Sequence, residues 1–557
     1  MKVNVPLMTD VMTSSPTDEI TAWLDADPDP DTYAELADLV ERDPAAAVRR
    51  FESRLTFGTA GLRGPLGAGP NHMNRVIVRM AAWALGTRLR ADHASGLVVV
   101  GFDARPNSRE FAIDSARVLV ELGLTAEVLD EVVPTPVLAH SVIDRGAIGG
   151  VMVTASHNPP SDNGYKVYWG DGAQIIPPID REIEQLIGSR GPLSESELAD
   201  ADVSVMVSAH DRIDAYLDSV VSRVPGAGTT LVRSVYTPLH GVGGPTLLDA
   251  FERRGLAAPI VVTEQFEPDG SFPTVSLPNP EEHGALDLAI ATAEASACDL
   301  ILANDPDADR LGVAVRRDGA WRTLTGDEIG TLIGDHLLRA GTGQDRVVAC
   351  SFVSSTALDR VAAHHGVQIR RTLSGFKWII RPVIDEPNLQ YVFGYEEALG
   401  FAASPLVRDK DGITAAVILV ELASGLAAEN ADLVDRLDEI AQRDGLVMTR
   451  PVSVRYDDDA AAVTALMAQL RSEPPTMMAS YSVAIDDWLN HADPADIVTL
   501  DLGEAGQVLI RPSGTEPKIK AYIEATIDTV TDIATARSTL TARIDIIATA
   551  VSDLLTR

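Results

Sequence analysis

Cysteine is almost absent from this chain, since the 557 residues include only two, Cys298 and Cys350. They lie far apart and show no metal-type spacing, which argues against a disulfide framework and a cysteine-based metal site. Such sparse use of cysteine is typical of a protein in a reducing compartment.

Basic residues are also scarce, because 46 lysines and arginines stand against 81 aspartates and glutamates, a formal net charge of -35 at pH 7. A field of that sign repels polyanions and favours solubility. Nucleic acid and anionic membrane surfaces are therefore not expected as partners.

Long apolar runs are missing as well. No run approaches the roughly 18 residues that a membrane-spanning helix needs. Residues 1–20 carry Asp10, Asp18 and Glu19, where a signal sequence would be uninterrupted apolar. We therefore expect a cytoplasmic protein with no membrane partner.

The chain does contain a regular alternation of short β-branched runs with longer segments of helical apolar spacing. The runs include 97–100, 231–235 and 300–302, and residues 111–122 show the helical spacing. This alternation is typical of α/β domains whose strands are covered on both faces. An apolar content of 45% and the chain length predict roughly three or four domains, with boundaries near residues 210, 325 and 445.

The common nucleotide-binding loops are absent. The chain has no Gly-Lys dipeptide and hence no Walker A motif, and the glycines of residues 64–69 have the wrong spacing for a dinucleotide fingerprint. Ligands of α/β proteins usually bind at loops that follow the carboxyl ends of strands. The polar loops at those positions are therefore the candidates for chemistry.

One such loop is acidic and reads Asp305-Pro306-Asp307-Ala308-Asp309-Arg310. In an extended segment its three carboxylates would point to one side, where their repulsion is costly unless a cation lies among them. An EF-hand is excluded because its sixth and twelfth positions, which require Gly and Glu, hold Arg310 and Arg316. We interpret the loop as a Mg²⁺ site with open positions for phosphate and water, and a solvated acidic loop is the alternative.

A second polar run follows the apolar residues 508–510 and reads Arg511-Pro512-Ser513-Gly514-Thr515-Glu516-Pro517-Lys518-Ile519-Lys520. It offers a guanidinium, two hydroxyls, open backbone N–H groups and two ammonium groups, the set that phosphate oxygens require. We interpret the run as a phosphate cradle, and an ordinary turn between strands is the alternative.

A serine ends the apolar strand of residues 151–155. A hydrolase elbow would need glycine two residues to either side of Ser156, but Thr154 and Asn158 stand there. Adjacent side chains of an extended chain point apart, which would leave His157 badly placed to deprotonate the serine. The Asn, Pro and Gly residues of 158–164 predict a turned loop that presents the hydroxyl. Near a metal loop and a phosphate cradle this serine could carry a phosphoryl group, and a strand end with a capping serine is the alternative.

Four segments resemble, in order, the functional loops of the α-D-phosphohexomutase superfamily. Residues 154–159 resemble its phosphoserine loop, 305–310 its metal loop, 394–400 its sugar-binding loop and 511–520 its phosphate-binding loop. The runs 57–64, 373–378 and 409–412 extend the resemblance, which is closest to the phosphoglucomutase-2 and phosphopentomutase branch.

This resemblance implies four domains around a central cleft: three related α/β domains with mixed sheets and a smaller α+β C-terminal domain. Each would supply one loop, with the domains at 1–210, 211–325, 326–445 and 446–557. The implied reaction interconverts glucose 1-phosphate and glucose 6-phosphate through a phosphoserine enzyme and a bisphosphorylated sugar.

The resemblance also implies roles for individual residues. One Mg²⁺ per subunit would be held by the phosphate of Ser156 and by Asp305, Asp307 and Asp309. The other catalytic residues would be Arg310, Arg63, Lys166, Lys410 and His157, with Lys410 or His157 in proton transfer. The substrate would be bound by Glu396, Glu397, Ala398, Ser374, Gly375, Lys377, Arg511, Ser513, Gly514, Thr515 and Lys520.

Two positions depart from the family pattern. Ala308 stands where many relatives carry Gly, which leaves all three carboxylates in place. Ala398 stands where glucose-specific relatives often carry Ser, which removes a hydroxyl that could contact the sugar. Phosphopentomutase and phosphomannomutase activities are therefore alternatives, and a metal-dependent sugar phosphatase and a non-catalytic sugar-phosphate-binding protein are rivals from other classes.

The expected partners are small sugar phosphates. Glucose 1,6-bisphosphate or a similar compound would supply the priming phosphate, and the protein would be a monomer or a homodimer.

Overall fold

The computed structural model describes residues 16–58, 61–198, 206–224, 232–343, 345–456, 460–491, 494–513 and 518–556. Within these ranges the chain forms four domains, each built on its own β-sheet. The predicted fold class, three α/β domains with mixed sheets and a smaller C-terminal domain, is confirmed. The boundaries near residues 210, 325 and 445 stay predictions.

The first domain opens with three helices, α1 (Pro16–Ala26), α2 (Pro30–Arg42) and α3 (Pro44–Phe51). Asp29 and Asp43 cap α2 and α3, and a proline at the first helical position presets the backbone. The sheet follows, in the order β1-β5-β4-β2-β3-β6. Its elements are β1 (Leu62–Pro65), α4 (Arg75–Asp92), β2 (Leu97–Phe102), α5 (Ser108–Glu121), β3 (Thr125–Leu129), α6 (Thr135–Asp144), β4 (Gly149–Val153), β5 (Asp162–Trp169), α7 (Ile179–Ser189), β6 (Met206–Val207) and α8 (Ala209–Ser219).

The second domain has a five-stranded sheet whose order is β11-β10-β9-β7-β8. The two central strands, residues 234–237 and 300–303, are buried along their whole length, as expected for strands with both faces covered. Its elements are β7 (Ser234–Thr237), α9 (Gly243–Arg254), β8 (Ile260–Val261), α10 (Thr263–Phe266), α11 (Asp287–Ser296), β9 (Leu300–Ala303), β10 (Gly312–Arg317) and β11 (Ala320–Leu324).

The third domain has a four-stranded sheet of order β13-β12-β14-β15. A capping box between Thr325 and Glu328 starts its first helix. Its elements are α12 (Gly326–Ala340), β12 (Arg346–Ser351), α13 (Ala357–His365), β13 (Gln368–Thr372), α14 (Phe376–Ile379), α15 (Arg381–Asp385), β14 (Gln390–Glu396), β15 (Gly400–Ala402), α16 (Gly412–Ala428) and α17 (Leu433–Asp444).

The first three sheets share one arrangement of four strands. In each, a central strand (β2, β7 or β12) pairs in parallel with two neighbours, and one of these pairs antiparallel with a fourth strand. The connection into that fourth strand leaves the carboxyl edge of the parallel strands, where ligands of α/β sheets bind. The implied relation among the first three domains is therefore confirmed by their strand order.

The fourth domain is built on an antiparallel sheet of order β16-β22-β21-β20-β19. Its apolar core is separate from the buried cluster that runs through the first three domains. Its elements are β16 (Leu446–Arg455), α18 (Ala460–Ser472), the hairpin β17 (Met477–Met478) and β18 (Tyr481–Ser482), β19 (Ala484–Asp487), β20 (Val498–Asp501), β21 (Gln507–Pro512), β22 (Lys518–Ile527) and α19 (Ile533–Leu555).

In the described ranges, no single helix combines the length and the apolar character needed to cross a membrane. The pair α16 and α17 passes the same test together by length and composition, with a bend of 86° between the two helices.

Candidate active site

Three of the four predicted loops occupy the same place in their domains, the connection from the last parallel strand into the antiparallel strand. They join β4 to β5, β9 to β10 and β14 to β15. Each contains one residue with left-handed backbone, namely Ser156 (φ 52°), Ala308 (φ 55°) and Leu399 (φ 62°). A non-glycine residue there is strained, so the chain turns sharply at the same point in all three loops.

Ser156 is buried, with 1% of its surface exposed. Its Oγ donates a hydrogen bond of 2.6 Å to Oδ2 of Asp305, and its backbone N–H donates to the hydroxyl of Thr154 at 2.9 Å. The predicted turned loop is thus present, and it holds the serine hydroxyl against the acidic loop of the second domain.

The expectation that His157 points away from the serine is wrong. Nδ1 of His157 lies 3.1 Å from Oγ of Ser156. The expectation assumed an extended chain, but the left-handed backbone at Ser156 brings the two side chains to the same side. Burial, together with the positive charges of Arg310 and Arg63, holds the pKa of His157 well below its usual value.

The three aspartates of the acidic loop converge. One carboxylate oxygen from each of Asp305, Asp307 and Asp309 lies within 4.8 Å of the other two, and all three residues are buried. They meet because the loop turns at Ala308, whose N–H donates to the carbonyl of Asp305 at 2.9 Å. The predicted alternation along an extended segment is therefore not the cause of their convergence.

The donor set of this acidic triad fits a hard divalent cation. Oδ1 of Asp307 and Oδ1 of Asp309 are buried and have no hydrogen-bond partner in the part of the chain that the structure describes. Burying unpaired carboxylate oxygens is costly, and several carboxylates in one place are the ligands of Mg²⁺ or Ca²⁺. The residues present could thus hold a metal ion.

Positive side chains surround the triad. Nζ of Lys166 lies 2.7 Å from Oδ2 of both Asp307 and Asp309, and Nζ of Lys410 lies 3.1 Å from Asp309. Burial acts against both ammonium charges, but the neighbouring aspartates outweigh it and raise the pKa of each lysine. The lysines are therefore held as cations beside the triad.

Two arginines complete the positive rim. Nη1 of Arg63 lies 3.4 Å from the side-chain oxygen of Asn158 in the serine loop, and Nη1 of Arg310 donates at 2.9 Å to the carbonyl of Ala398 in the sugar loop. Arg310 thus joins the metal loop to the sugar loop, next to the triad.

Sequence reasoning missed two groups that hold this cluster. Thr135 donates to Asp307 twice, from its hydroxyl to Oδ2 at 2.6 Å and from its N–H to the carbonyl at 2.9 Å. Asp409 accepts hydrogen bonds of 2.6 Å from Tyr168 and Gln174 and lies 3.3 Å from Nζ of Lys410. Only the run 409–412 carried a local signal, because Thr135 is simply the first residue of α6 and lies 172 residues before Asp307.

The two glutamates of the sugar loop have different surroundings. The carboxylate of Glu396 accepts no hydrogen bond from any residue that the structure describes, and burial raises its pKa. Glu397 accepts hydrogen bonds at Oε2 from the hydroxyls of Ser351 (3.1 Å) and Ser354 (3.4 Å). Of the two, Glu396 therefore has the carboxylate that is open to a ligand.

The run 373–378 lies between the first and third domains. Gly375 has a φ of 109° and precedes the short helix α14, whose Phe376 ring lies 5.5 Å from Nζ of Lys410. Lys377 is mostly buried, and its Nζ lies 3.8 Å from Asp180 of the first domain. Ser374 stands next to this turn, half-buried.

The fourth loop joins β21 to β22 in the C-terminal domain. Arg511 and Lys520 are directly opposite in the antiparallel register, so their side chains share a face. Burial and the charges of Lys518 and Arg511 lower the pKa of Lys520. Like charges on directly opposite residues destabilise a sheet. An anion bound between the two side chains would offset this repulsion. The N–H of Ser513 donates to the carbonyl of Lys518 at 2.8 Å, and Gly514 and Thr515 lie outside the described residues.

Each of the first three loops rests on the loop that follows the central strand of its own domain. Arg105, after β2, donates to carbonyls of the serine loop. Val242, after β7, donates to the carbonyl of Pro306 at 2.8 Å, and Ser354, after β12, accepts the N–H of Glu397 at 3.1 Å. The shared strand order thus places the same kind of support under each functional loop.

Family models describe this chain over most of its length. The alpha/beta/alpha domains I, II and III of the phosphoglucomutase/phosphomannomutase family match residues 54–192, 214–319 and 325–443, and the C-terminal domain of that family matches 477–536.

Relatives agree with this assignment. A Haemophilus influenzae protein named as a probable phosphomannomutase is 40% identical, over 81% of this chain and 93% of its own. The phosphopentomutase of Mus musculus is 34% identical (91% and 89%), and the phosphoglucomutase of Staphylococcus aureus is 32% identical (90% and 94%). The solved structure of parafusin, a phosphoglucomutase from Paramecium, has the same fold, with a TM-score of 0.67 at 19% identity over 91% of this chain and 97% of that one. The chain therefore belongs to the phosphoglucomutase/phosphomannomutase family of the α-D-phosphohexomutase superfamily, and it is a phosphosugar mutase, an isomerase that works by phosphoryl transfer.

Proposed function

We propose that this mutase interconverts glucose 1-phosphate and glucose 6-phosphate, and that Ser156 carries the transferred phosphoryl group. The observation that carries the proposal is the hydrogen bond of 2.6 Å between Ser156 and Asp305, which places a buried hydroxyl at the edge of the acidic triad. Phosphoryl transfer depends mainly on position and on compensation of charge, and this site offers both.

The transfer proceeds in two halves. In the first, the P–O bond at Oγ of Ser156 breaks and a P–O bond to the free hydroxyl of the sugar phosphate forms, with loss of the hydroxyl proton. The bisphosphorylated sugar then reorients in the cleft. In the second half the P–O bond of its other phosphoryl group breaks, a P–O bond to Oγ of Ser156 forms, and the proton returns to the sugar hydroxyl. His157, 3.1 Å from Oγ, and Lys410 are the two candidates for moving the proton.

The residues around the triad supply charge. Lys166, Arg63 and Arg310 offset the negative charge that spreads over the phosphoryl oxygens during transfer. Asp305, Asp307 and Asp309, with the phosphate of Ser156, would hold one Mg²⁺, which when bound stabilises charge on those oxygens.

Reorientation of the bisphosphorylated sugar requires a phosphate-binding site that is separate from the site of phosphoryl transfer. Arg511 and Lys520, on one face of the fourth sheet, would bind the phosphate that is not reacting in either orientation. The open carboxylate of Glu396 would accept hydrogen bonds from sugar hydroxyls. Glucose 1,6-bisphosphate, or a similar compound, would prime the serine.

A metal-dependent phosphatase is the nearest rival. Ser156 and the triad are at most 1% exposed, so a phosphoryl group there is poorly accessible to water and transfer is favoured over hydrolysis. Release of inorganic phosphate at the rate of glucose 1-phosphate consumption would contradict the proposal.

Pentose phosphates are the second candidate substrates, because Ala398 offers no hydroxyl next to Glu396. Losing one polar contact to a hexose lowers the preference for that hexose by roughly 0.5–1.5 kcal/mol, which is about tenfold in relative kcat/KM. We therefore expect turnover of ribose or deoxyribose 1-phosphate with a kcat/KM comparable to, or higher than, that of glucose 1-phosphate. We expect Ala398→Ser to shift the ratio toward glucose by about tenfold.

The measurement is kcat/KM for glucose, mannose, ribose and deoxyribose 1-phosphates in wild type and in Ala398→Ser. Ala403→Ser, at a half-buried alanine beyond β15, is the matched control and should leave the ratio unchanged. A wild type without pentose activity, or an unchanged ratio in Ala398→Ser, would show that Ala398 does not set the preference. A wild type that turns over mannose but not glucose would overturn the glucose assignment.

The cradle contacts only phosphate, so its loss should affect all sugars alike. We expect Arg511→Ala to lower kcat/KM for hexose and pentose phosphates by the same factor, roughly 10- to 100-fold, because a charge-assisted hydrogen bond contributes about 1.5–3 kcal/mol. Arg450→Ala, on β16 of the same sheet and ion-paired with Asp545, is the control. A loss confined to one sugar class would contradict a role at the shared phosphate.

A further inference from the structure

Arg105 lies in the loop after β2 and is 4% exposed. Its guanidinium donates to four backbone carbonyls, three in the serine loop of residues 154–161 and one at Asp162, the first residue of β5. Nη2 reaches those of Ser156 and Asn158 at 2.6 Å each, and Nη1 reaches those of Pro159 (2.7 Å) and Asp162 (2.9 Å). One buried side chain thus supplies hydrogen-bond donors to four carbonyl oxygens in and beside the turn that carries the serine.

This loop needs such a partner. Residues 154–161 lie between two strands, and within the described residues no backbone N–H donates to the carbonyls of Ser156 and Asn158, whereas those of Ala155, Pro159 and Ser161 each accept one. Ser156 also has left-handed backbone, a strained conformation that persists only where its surroundings enforce it. Since the carbonyl of Ser156 is itself an acceptor of Arg105, the guanidinium acts on the peptide that orients Oγ.

Asp103, two residues before Arg105 in the same loop, holds the arginine in its orientation. Oδ1 of Asp103 accepts the N–H of Arg105 at 3.0 Å and the hydroxyl of Ser108 at 2.7 Å, and its Oδ2 lies 3.4 Å from Nε of Arg105. The guanidinium charge is therefore paired within the first domain and needs no ligand to balance it.

The second domain covers the other face of the arginine. The ring of Phe272 lies 4.9 Å from the guanidinium carbon. A Cβ added at Gly270 would lie only 2.6 Å from the carbonyl oxygen of Ala104, so the turn of residues 269–272 packs directly on this loop. Arg105 is thus enclosed between the domain of the serine and the domain of the acidic triad.

We propose that Arg105 is a positioning residue for phosphoryl transfer, which holds the serine loop so that Oγ of Ser156 stays at the acidic triad. The proposal rests on the proposed function of Ser156. A lysine could not replace the arginine, because one ammonium group lacks the planar fork that reaches acceptors on both sides. In the proposed function the substrate contacts would lie on the sugar loop and the cradle, so a shift of the serine should affect the transfer step and not binding.

The test compares Arg105→Lys with Arg109→Lys, a control at an exposed position four residues further on. We expect kcat of Arg105→Lys to fall about 100-fold, the cost of misplacing a reacting group by about 1 Å, while KM stays within about threefold. The rate of Ser156 phosphorylation by glucose 1,6-bisphosphate should fall by the same factor. Amide hydrogen exchange of Asn158 and Asp162, whose N–H groups bond within the loop, should quicken, while that of 507–512 does not change.

If Arg105→Lys does not fold, Phe272→Leu is the variant that tests the positioning role. It leaves the four hydrogen bonds of Arg105 in place and removes only the ring that covers the guanidinium. We expect its kcat to fall several-fold with KM unchanged. A kcat within twofold of wild type in whichever variant is measured, or a loss that resides in KM, would overturn the positioning role. A wild type that is not phosphorylated at Ser156 would instead overturn the proposed function, and quickened exchange in Arg105→Lys would still support the structural part of the proposal.

Discussion

Ser156→Ala should lose at least roughly 10³-fold in kcat on every sugar phosphate, because the residue that carries the phosphoryl group is removed and no neighbour can replace it. Active wild-type protein should also be heavier by one phosphoryl group, located at Ser156 by intact-mass spectrometry and peptide mapping. In the structure the Ser156 hydroxyl donates to Asp305 at 2.6 Å. Phosphorylation removes that donor and adds nearly two negative charges, so the phosphorylated protein should bind Mg²⁺ more tightly than the dephosphorylated protein does.

The matched control is Ser161→Ala, in the same loop. Ser161 is exposed, and among the described residues its hydroxyl bonds only to its neighbour Asp162, at 2.9 Å, so this variant should keep its rate and its phosphate. Full activity in Ser156→Ala, or the phosphate at another residue, would end the phosphoserine proposal.

The second large effect is expected at the acidic triad. Asp307→Asn and Asp309→Asn should each lose roughly 10²–10³-fold in kcat, because a neutral amide is a weaker ligand for a hard cation and the phosphoryl charge is then less well compensated. Chelator-treated wild type should be inactive until Mg²⁺ is returned.

Thermal unfolding separates this loss from misfolding. Removing one carboxylate relieves repulsion in the triad, although it also removes a partner of Lys166, so the metal-free variants should melt near the wild-type temperature. Mg²⁺ at 100 times its dissociation constant should stabilise wild type by about 2.7 kcal/mol, and it should not stabilise the variants. Asp318→Asn, at an exposed turn between β10 and β11, is the control and should keep the shift. Chelated enzyme with its full rate, or variants with a normal shift, would contradict the metal site.

The local chemistry of the functional loops could be predicted from the sequence alone. A serine at a strand end, three alternate aspartates, a pair of glutamates and a run of Arg, Ser and Lys are all patterns within a few residues. The structure places the described residues of each of these runs at the junction of two consecutive strands. Turn residues and strand periodicity act over such short distances, so they can be recognised without the fold.

What the sequence could not predict are the contacts between distant segments. Ser156 and Asp305 are 149 residues apart, and Lys166 and Asp307 are 141 residues apart. Nothing local in the runs around Thr135 or Arg105 marks either residue as part of the site, and no spacing rule separates the open Glu396 from the occupied Glu397.

The orientation of side chains was also decided by tertiary structure. His157 faces the serine because the packed loop holds Ser156 in left-handed backbone, and the three aspartates meet because the chain turns at Ala308. Both expectations failed for the same reason, since an isolated segment prefers extended backbone and only the surrounding domains enforce the strained turn. The sequence by itself thus determined which chemical groups this mutase brings to its site, and the packing of four domains decided which of them meet, because that depends on contacts between residues far apart in the chain.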